Sequence, residues 1–424
     1  MDTIFALSSG APPAAIAVVR ISGPKAGVAL ERLGGKLPRP RFARLARLKA
    51  ADGALLDQAL VLWFPGPASE TGEDCAELQL HGGRAVVDAV CAELATYEGL
   101  RLAEPGEFTR RAFANGRIDL LQVEGLADLV SAETELQRQA ALGLAGGGLS
   151  RDVDGWLARL LALSAGVEAA LDFGDEDDVG TLGEDFRRDL DALAQDLADA
   201  LVAPHAETLR EGFRVALAGP PNAGKSTLFN RLLDDEAAIV SPQPGTTRDV
   251  LVRHFALEGV PFTLVDMAGL REAGEDAVET VGIGRAHDEL VRADCILWLG
   301  PEGEGPSGAW EIDPQIDRHD RPRKQNPRVS LSARTGEGIP RLQADLVRAG
   351  RGAMTKPGRT ALSRRQRGLL EEANGSLSDC AGLLDPLLIA EELRRARTAF
   401  DQLTGRAATE DMLDSLFGRF CIGK

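Results

Sequence analysis

The sequence has no apolar segment approaching the length of a membrane span. No basic region precedes its short apolar run from Ala11 to Val19, so neither a spanning helix nor a secretory leader is expected. Cysteine is scarce: Cys75, Cys91, Cys295, Cys380 and Cys421 show neither C-x-x-C nor histidine spacing. That argues against a zinc site and a disulfide framework and points to a cytoplasmic protein. Positive charge is also in deficit, with 48 basic against 65 acidic residues and a net charge of −17. No whole-surface field would draw in nucleic acid, so any RNA contact must be local. One candidate is Arg39, Arg41, Arg44, Arg47 and Lys49, a stretch that fits a solvated face as well as it fits RNA. There is no internal repeat and no low-complexity tract. At 424 residues and 44% hydrophobic content, the chain can form two or three domains with ordinary cores.

What is present is a phosphate loop in its proper setting. Gly219-Pro220-Pro221-Asn222-Ala223-Gly224-Lys225-Ser226 follows the strand-like run Phe213 to Ala218 and precedes the helix-like Thr227 to Leu233. Glycines let backbone N–H groups curl around phosphate oxygens, Lys225 meets the β- and γ-phosphates, and the Ser226 hydroxyl suits Mg²⁺. Three further elements follow in the order a GTPase needs. Gly245-Thr246-Thr247-Arg248-Asp249 offers threonines to Mg²⁺ and the γ-phosphate, as a first switch does. Asp266-Met267-Ala268-Gly269 places a carboxylate at the end of the apolar run Phe262 to Val265, with the Gly269 N–H available to the γ-phosphate. Ser332-Ala333-Arg334-Thr335-Gly336 is the kind of loop that backs a guanine ring. Between Trp298 and Ser332 there is no Asn-Lys-x-Asp to read the base. Pro314-Gln315-Ile316-Asp317 keeps only its aspartate, and Asp317 is the candidate reader, within a stretch also compatible with a solvated loop.

Along the chain, the first 115 or so residues alternate as α+β, with strands expected at Ala15 to Ile21, Leu60 to Phe64 and Ala76 to Leu80 and a helix near Ala85 to Ala95. From Leu120 the period becomes helical: Trp156, Leu160, Leu163, Val167 and Leu171 recur at helical spacing, as do Phe186, Leu190, Leu193 and Leu197. The acidic run Asp172 to Asp178 between them fits a solvated loop. Helical periodicity returns near the end at Leu413, Leu416 and Phe420, so a compact α/β module is expected inside a helical domain. The fold class expected is therefore multidomain α/β and α.

The chain resembles the MnmE/TrmE family of tRNA-modification GTPases over its whole length. The resemblance is carried by Val19-Arg20-Ile21-Ser22-Gly23-Pro24, Phe64-Pro65-Gly66-Pro67, Thr71-Gly72-Glu73-Asp74, His81-Gly82-Gly83, Pro105-Gly106-Glu107-Phe108-Thr109, Gly224-Lys225-Ser226, Asp266 to Glu272, and the terminal Phe420-Cys421-Ile422-Gly423-Lys424. It implies an N-terminal α+β folate-binding and dimerisation domain over 1–116 and a helical domain in two parts, 117–210 and 351–424. A Ras-like P-loop G domain over 211–350 is inserted between those parts. It further implies a homodimer, an MnmG-type flavoprotein partner and a tRNA substrate. The wobble uridine would be modified at C5 with a one-carbon unit from 5-formyltetrahydrofolate or another tetrahydrofolate.

By the same resemblance GTP is bound at Asn222, Ala223, Gly224, Lys225, Ser226, Thr227, Thr246, Thr247, Asp266, Gly269, Asp317, Ser332, Ala333 and Arg334, with Mg²⁺ on Ser226 and Thr247. K⁺ would sit on Asn222, Ser241, Gln243 and Thr246 and offset the charge that develops between the phosphates. Ser241-Pro242-Gln243-Pro244 departs from the family's usual Thr-Asp-x-Ala, and its two prolines stiffen that loop. Glu279 matches the glutamate that positions the attacking water, and Lys225 completes the hydrolytic pair. Folate ligands map to Arg20, Glu77, Arg117 and Lys424, with Arg117 in place of the commoner lysine. Cys421 is a candidate for the one-carbon chemistry. Two other functions remain open on the sequence: a GTP-gated rRNA-binding assembly factor, and a folate-dependent aminomethyltransferase with vestigial GTP binding.

Overall fold

The computed structural model describes residues 2–172, 182–202, 206–234, 239–240, 251–267, 289–354, 361–418 and 420–423. These form two compact units, Met1–Ala127 with Asp401–Lys424, and Asp128–Phe400.

The first unit is built on a six-stranded sheet of order β3-β4-β5-β2-β1-β6. The strands are β1 Thr3–Leu7, β2 Ile16–Ser22, β3 Arg44–Lys49, β4 Leu55–Phe64, β5 Cys75–His81 and β6 Leu100–Leu102. All neighbours run antiparallel except β1 and β6. Strict alternation in β2, β4 and β5 sends Ala17, Val19, Ile21, Val61, Leu78 and Leu80 into one core with the buried residues of helices Ala26–Gly34 and Arg84–Ala95. That burial is the main stabilising term of the unit.

The basic stretch of the first unit does not form one patch. Arg44 points its guanidinium at the carbonyls of Gly34 (2.9 Å) and Lys36 (2.5 Å), satisfying the end of the first helix. Arg41 bonds the Ala68 carbonyl, and Arg39 lies 4.6 Å from the Phe42 ring. Arg47 and Lys49 stay exposed on an edge strand, where charge discourages unwanted pairing.

The carboxyl-terminal residues complete this unit. Leu413, Phe417 and Phe420 pack with Leu120 and Val123, and Ile422 bridges to Pro105. Two glycines permit the closeness: a Cβ on Gly106 would lie 2.3 Å from the Phe417 oxygen, and one on Gly423 2.0 Å from the Leu7 oxygen.

In the second unit a seven-stranded sheet has the order β13-β12-β11-β7-β10-β9-β8. Its strands are β7 Phe213–Ala218, β8 Ile239–Val240, β9 Leu251–Leu257, β10 Val260–Asp266, β11 Cys295–Trp298, β12 Trp310–Asp313 and β13 Val329–Ser330. From β13 to β10 the pairs are parallel; β9 and β8 extend the sheet antiparallel. Near-continuous apolar runs in β7 and β10 match a sheet covered on both faces, here partly by helices Lys225–Leu233 and Ile339–Ala353. The helical elements of this unit include Gly148–Asp172 and Glu184–Leu201. They bury Leu160, Leu163, Val167, Leu190, Leu193 and Leu197 as the periodicity requires, while Leu171 is exposed. The acidic run lies, apart from Asp172, outside the described residues. Among the described residues no helix is long and apolar enough to cross a membrane.

Candidate functional site: a phosphate loop, a base loop and an N-terminal cavity

Strand β7 lies between β10 and β11, which lead to opposite sides of the sheet, so its carboxyl end opens at the switch point where such sheets bind ligands. The chain leaves β7 through a loop that only glycine allows at two positions. Gly219 has φ 148° and packs on the backbone of Leu299 and Gly300; Gly224 has φ 96° and starts the helix Lys225–Leu233. The first-turn N–H groups of that helix therefore face the loop, as an anion site requires. Lys225 is buried, with Nζ donating to the carbonyls of Gly219 and Pro220 at 2.9 Å each. The ammonium is thereby held over the loop.

Ser226 Oγ donates to Asp266 Oδ2 at 2.9 Å, and Asp266 is 1% exposed at the end of β10. The register that sets Asp266 beside Leu217 of β7 brings these oxygens together. Among the described residues no group of three or more His, Cys, Asp or Glu side chains is placed to hold a metal ion by itself. One hydroxyl and one carboxylate suit Mg²⁺, which takes oxygen donors and completes its shell with phosphates and water.

Across the cavity, Gly224, Thr227, Pro314, Gln315, Asp317, Ala333 and Arg334 share one lining. The Ser332 hydroxyl donates to Asp317 and, with the charge of nearby Arg334, holds that carboxyl below the usual range. Ser332 Oγ accepts in turn from the Thr335 N–H at 3.1 Å. The base-reader candidate and the Ser332-Ala333-Arg334 loop are thus physically joined. Sequence reasoning gave no role to Gln315 or Arg321, although Gln315 Nε2 donates to the Asn222 carbonyl and Gln315 Oε1 accepts from Arg321.

In the first unit, Arg20, Glu77 and Arg117 line one cavity with Arg41, Phe64, Ser69, Glu70 and Cys75. Arg20 donates through Nε to Glu77 Oε1 at 3.1 Å and pairs with Glu70 at 2.8 Å. The cavity therefore offers guanidinium and carboxylate groups side by side, which suits a ligand with a hydrogen-bonding ring edge and an anionic end. The loop from Ser69 to Asp74 is held by a polar chain beneath it. Ser22 Oγ donates to Glu73 (2.7 Å) and meets Thr71 Oγ1 (2.7 Å), and Asn115 Nδ2 donates to the Thr71 carbonyl at 2.7 Å. Sequence reasoning missed Ser69 and Glu70, which the motifs from Phe64 to Pro67 and Thr71 to Asp74 flank, and it placed Arg41 in a basic stretch instead of this cavity.

Cys421 is exposed, beside the Pro105–Ile422 bridge. Ser241, Gln243, Thr246, Thr247, Gly269, Glu279 and Lys424 lie outside the described residues.

Residues 3–117 match the family model described as the GTP-binding protein TrmE N-terminus, and residues 120–421 match the MnmE helical domain. The tRNA modification GTPase MnmE of Erythrobacter litoralis is 61% identical over 424 residues, covering 100% of both chains. That of Novosphingobium aromaticivorans is 58% identical over 435 residues, also covering 100% of both. Among solved structures, the G domain of the T. maritima FeoB iron transporter aligns with 32% of this chain and 97% of its own, at 25% identity and a TM-score of 0.24. With full-length identity of this order, a phosphate loop that shares one cavity with the base loop, and a Ser226–Asp266 pair at the head of the following helix, the chain belongs to the MnmE family of tRNA modification GTPases.

Proposed function

We propose that this GTPase acts on tRNA in the cytoplasm as a homodimer with an MnmG-type flavoprotein. In that reading it modifies C5 of the wobble uridine with a one-carbon unit from a tetrahydrofolate. The observation that carries the folate part is the meeting of Arg20, Glu77 and Arg117 in one cavity of the N-terminal unit, distant in sequence from every nucleotide motif. Glu77, held by its bond from Arg20, would take the donor edge of a folate's pterin, and Arg117 would take an anionic group of the same ligand. Lys424 and Cys421 would complete that site.

The dimer reading is supported by the sheet itself. Helices Ala26–Gly34 and Arg84–Ala95 cover one face, while the other, away from the part of β1 that packs on Phe108, exposes Ile16 (58%), Leu45 (58%) and Leu60 (42%). Leu45 stands opposite Leu60, and Leu60 opposite Gln79, on the same face as Arg20 and Glu77. An apolar row continuous with a polar cavity suits burial against a second copy.

For hydrolysis, the first-turn N–H groups and Lys225 would neutralise the β- and γ-phosphates, and Asp266 would hold the Ser226 hydroxyl toward Mg²⁺. K⁺ would add positive charge from Asn222, Ser241, Gln243 and Thr246. Glu279 would orient the water that attacks the γ-phosphate, leaving GDP and phosphate. Asp317 would accept the N1 and N2 hydrogens of guanine, with Ser332 fixing its carboxylate.

The deciding experiment is mass spectrometry of wobble uridines from cells lacking the protein, complemented with the wild type, Lys225→Ala or Arg20→Ala. Modification should return only with the wild type. Normal wobble uridines in the deletion strain would end this reading, and full rescue by Arg20→Ala would remove folate from it.

A further inference from the structure

Gln315 sits on left-handed backbone, φ 57°, a conformation that a non-glycine residue keeps only where its surroundings fix it. Two contacts do so from opposite sides. Nε2 donates to the Asn222 carbonyl at 3.3 Å, and Oε1 accepts from Arg321 Nη1 at 2.7 Å. A guanidinium carries donors and no acceptor, so Arg321 can bond only the oxygen of the amide. That choice turns the amide nitrogen toward the phosphate loop. Gln315 is close-packed there: a Cβ on Gly224 would lie 3.0 Å from its Nε2. The same side chain lines the cavity with Asp317, Thr227 and Ala333.

We propose that Gln315, oriented by Arg321, is the positioning residue that ties the base loop to the phosphate loop. The two halves of a guanine nucleotide then meet their partners at one fixed spacing. The proposal rests on Asp317 as the base reader and adds what holds Asp317 in place. A lysine at position 315 would donate to the Asn222 carbonyl unaided. A glutamine, whose amide presents a donor and an acceptor, needs a partner to choose which end faces the loop, and Arg321 makes that choice.

The test uses the full-length protein and a fluorescent GDP, with GTP and xanthosine triphosphate as competitors. Gln315→Ala and Arg321→Ala should each weaken GDP and GTP alike by about five- to tenfold, the scale of one ordering hydrogen bond. The double variant should bind no more weakly than Gln315→Ala alone, because the residues act as a unit. In a Gln315→Lys background, Arg321→Ala should cost nothing. Thermal melting of each variant separates loss of fold from loss of binding, and Gln315→Lys/Arg321→Ala keeps the tie while lacking the arginine. Additive losses, or an equal cost of Arg321→Ala in the Gln315→Lys background, would overturn the proposal. Failure of the base-reader reading shows elsewhere, as an unchanged preference for GTP over xanthosine triphosphate in Asp317→Asn.

Discussion

Replacing Arg111 by methionine takes one guanidinium away from three carboxylates at once: Asp2 at 2.7 Å, Glu107 at 2.9 Å and Glu73 at 3.1 Å. The side chains of Arg111, Glu73 and Glu107 are only 12–13% exposed, so little water is at hand to replace the lost bonds. Breaking a buried pair by removing one partner costs roughly 3–5 kcal/mol. Here the loss is smaller, because Arg101 still bonds Glu107 at 2.6 Å and Asp2 at 2.5 Å, and Asp2 is 45% exposed. Among the described residues, Glu73 is the carboxylate left with a single hydroxyl partner, Ser22. We expect a cost of about 2–3 kcal/mol, which at about 2–4 °C per kcal/mol lowers the melting of the N-terminal unit by roughly 4–12 °C. Scanning calorimetry of the intact chain, read as separate transitions, measures it. A shift below about 2 °C would refute the reasoning.

The same change should depend on pH in a set direction. Burial pushes the Glu107 carboxyl up, yet the bonds from Arg101, the Glu104 N–H and Arg111 outweigh it and leave the group below its ordinary value. Asp2 is likewise held low, against burial, by Arg101 and Arg111. A carboxyl depressed in the folded state stabilises it above the unfolded value, near about 4, and that stabilisation is lost as pH falls through the folded value. The gap between wild type and Arg111→Met should thus be full at pH 7 and shrink below about pH 4. A gap that persists at low pH would assign the loss to packing instead of charge. Because Glu73 also anchors Ser22 and, through it, Thr71, the variant should weaken binding of a tetrahydrofolate in the adjoining cavity as well.

Lys225→Ala should abolish GTP turnover in a phosphate-release assay, since no other described lysine or arginine lies on the phosphate loop. Exchanging K⁺ for Na⁺ should slow hydrolysis and weaken contact between G domains; equal rates in both salts, with Asn222→Ala harmless, would place the compensating charge elsewhere. Gly423→Ala should release the terminal residues to carboxypeptidase, because its Cβ would meet the Leu7 oxygen at 2.0 Å and its φ of 97° disfavours any side chain by about 1–2 kcal/mol. Asp317→Asn should move competition binding from GTP toward xanthosine triphosphate, whose C2 oxygen accepts a bond where guanine donates one.

How far the sequence carries depends on the range of the forces involved. The phosphate loop is legible because its chemistry is local: Gly219, Gly224, Lys225 and Ser226 act within one turn of chain, and period-two burial in β2, β4 and β5 is local in the same sense. Strand β1 escaped because Thr3 to Ala6 are buried on both faces and show no alternation. Strand β3 was hidden by its solvent-side Arg47 and Lys49, which read as a charge run although Ala46 and Leu48 alternate inward between them. The base loop is a harder case. Pro314 and Gln315 look like erosion of an Asn-Lys-x-Asp element when judged letter by letter, because what stands in for the lysine is divided between two side chains six positions apart. Their meeting depends on an irregular turn with a left-handed residue, and no periodicity encodes such a turn. A function kept by two residues in place of one disappears from the motif while remaining in the site, so a degenerate motif is weak ground for inferring a degenerate activity.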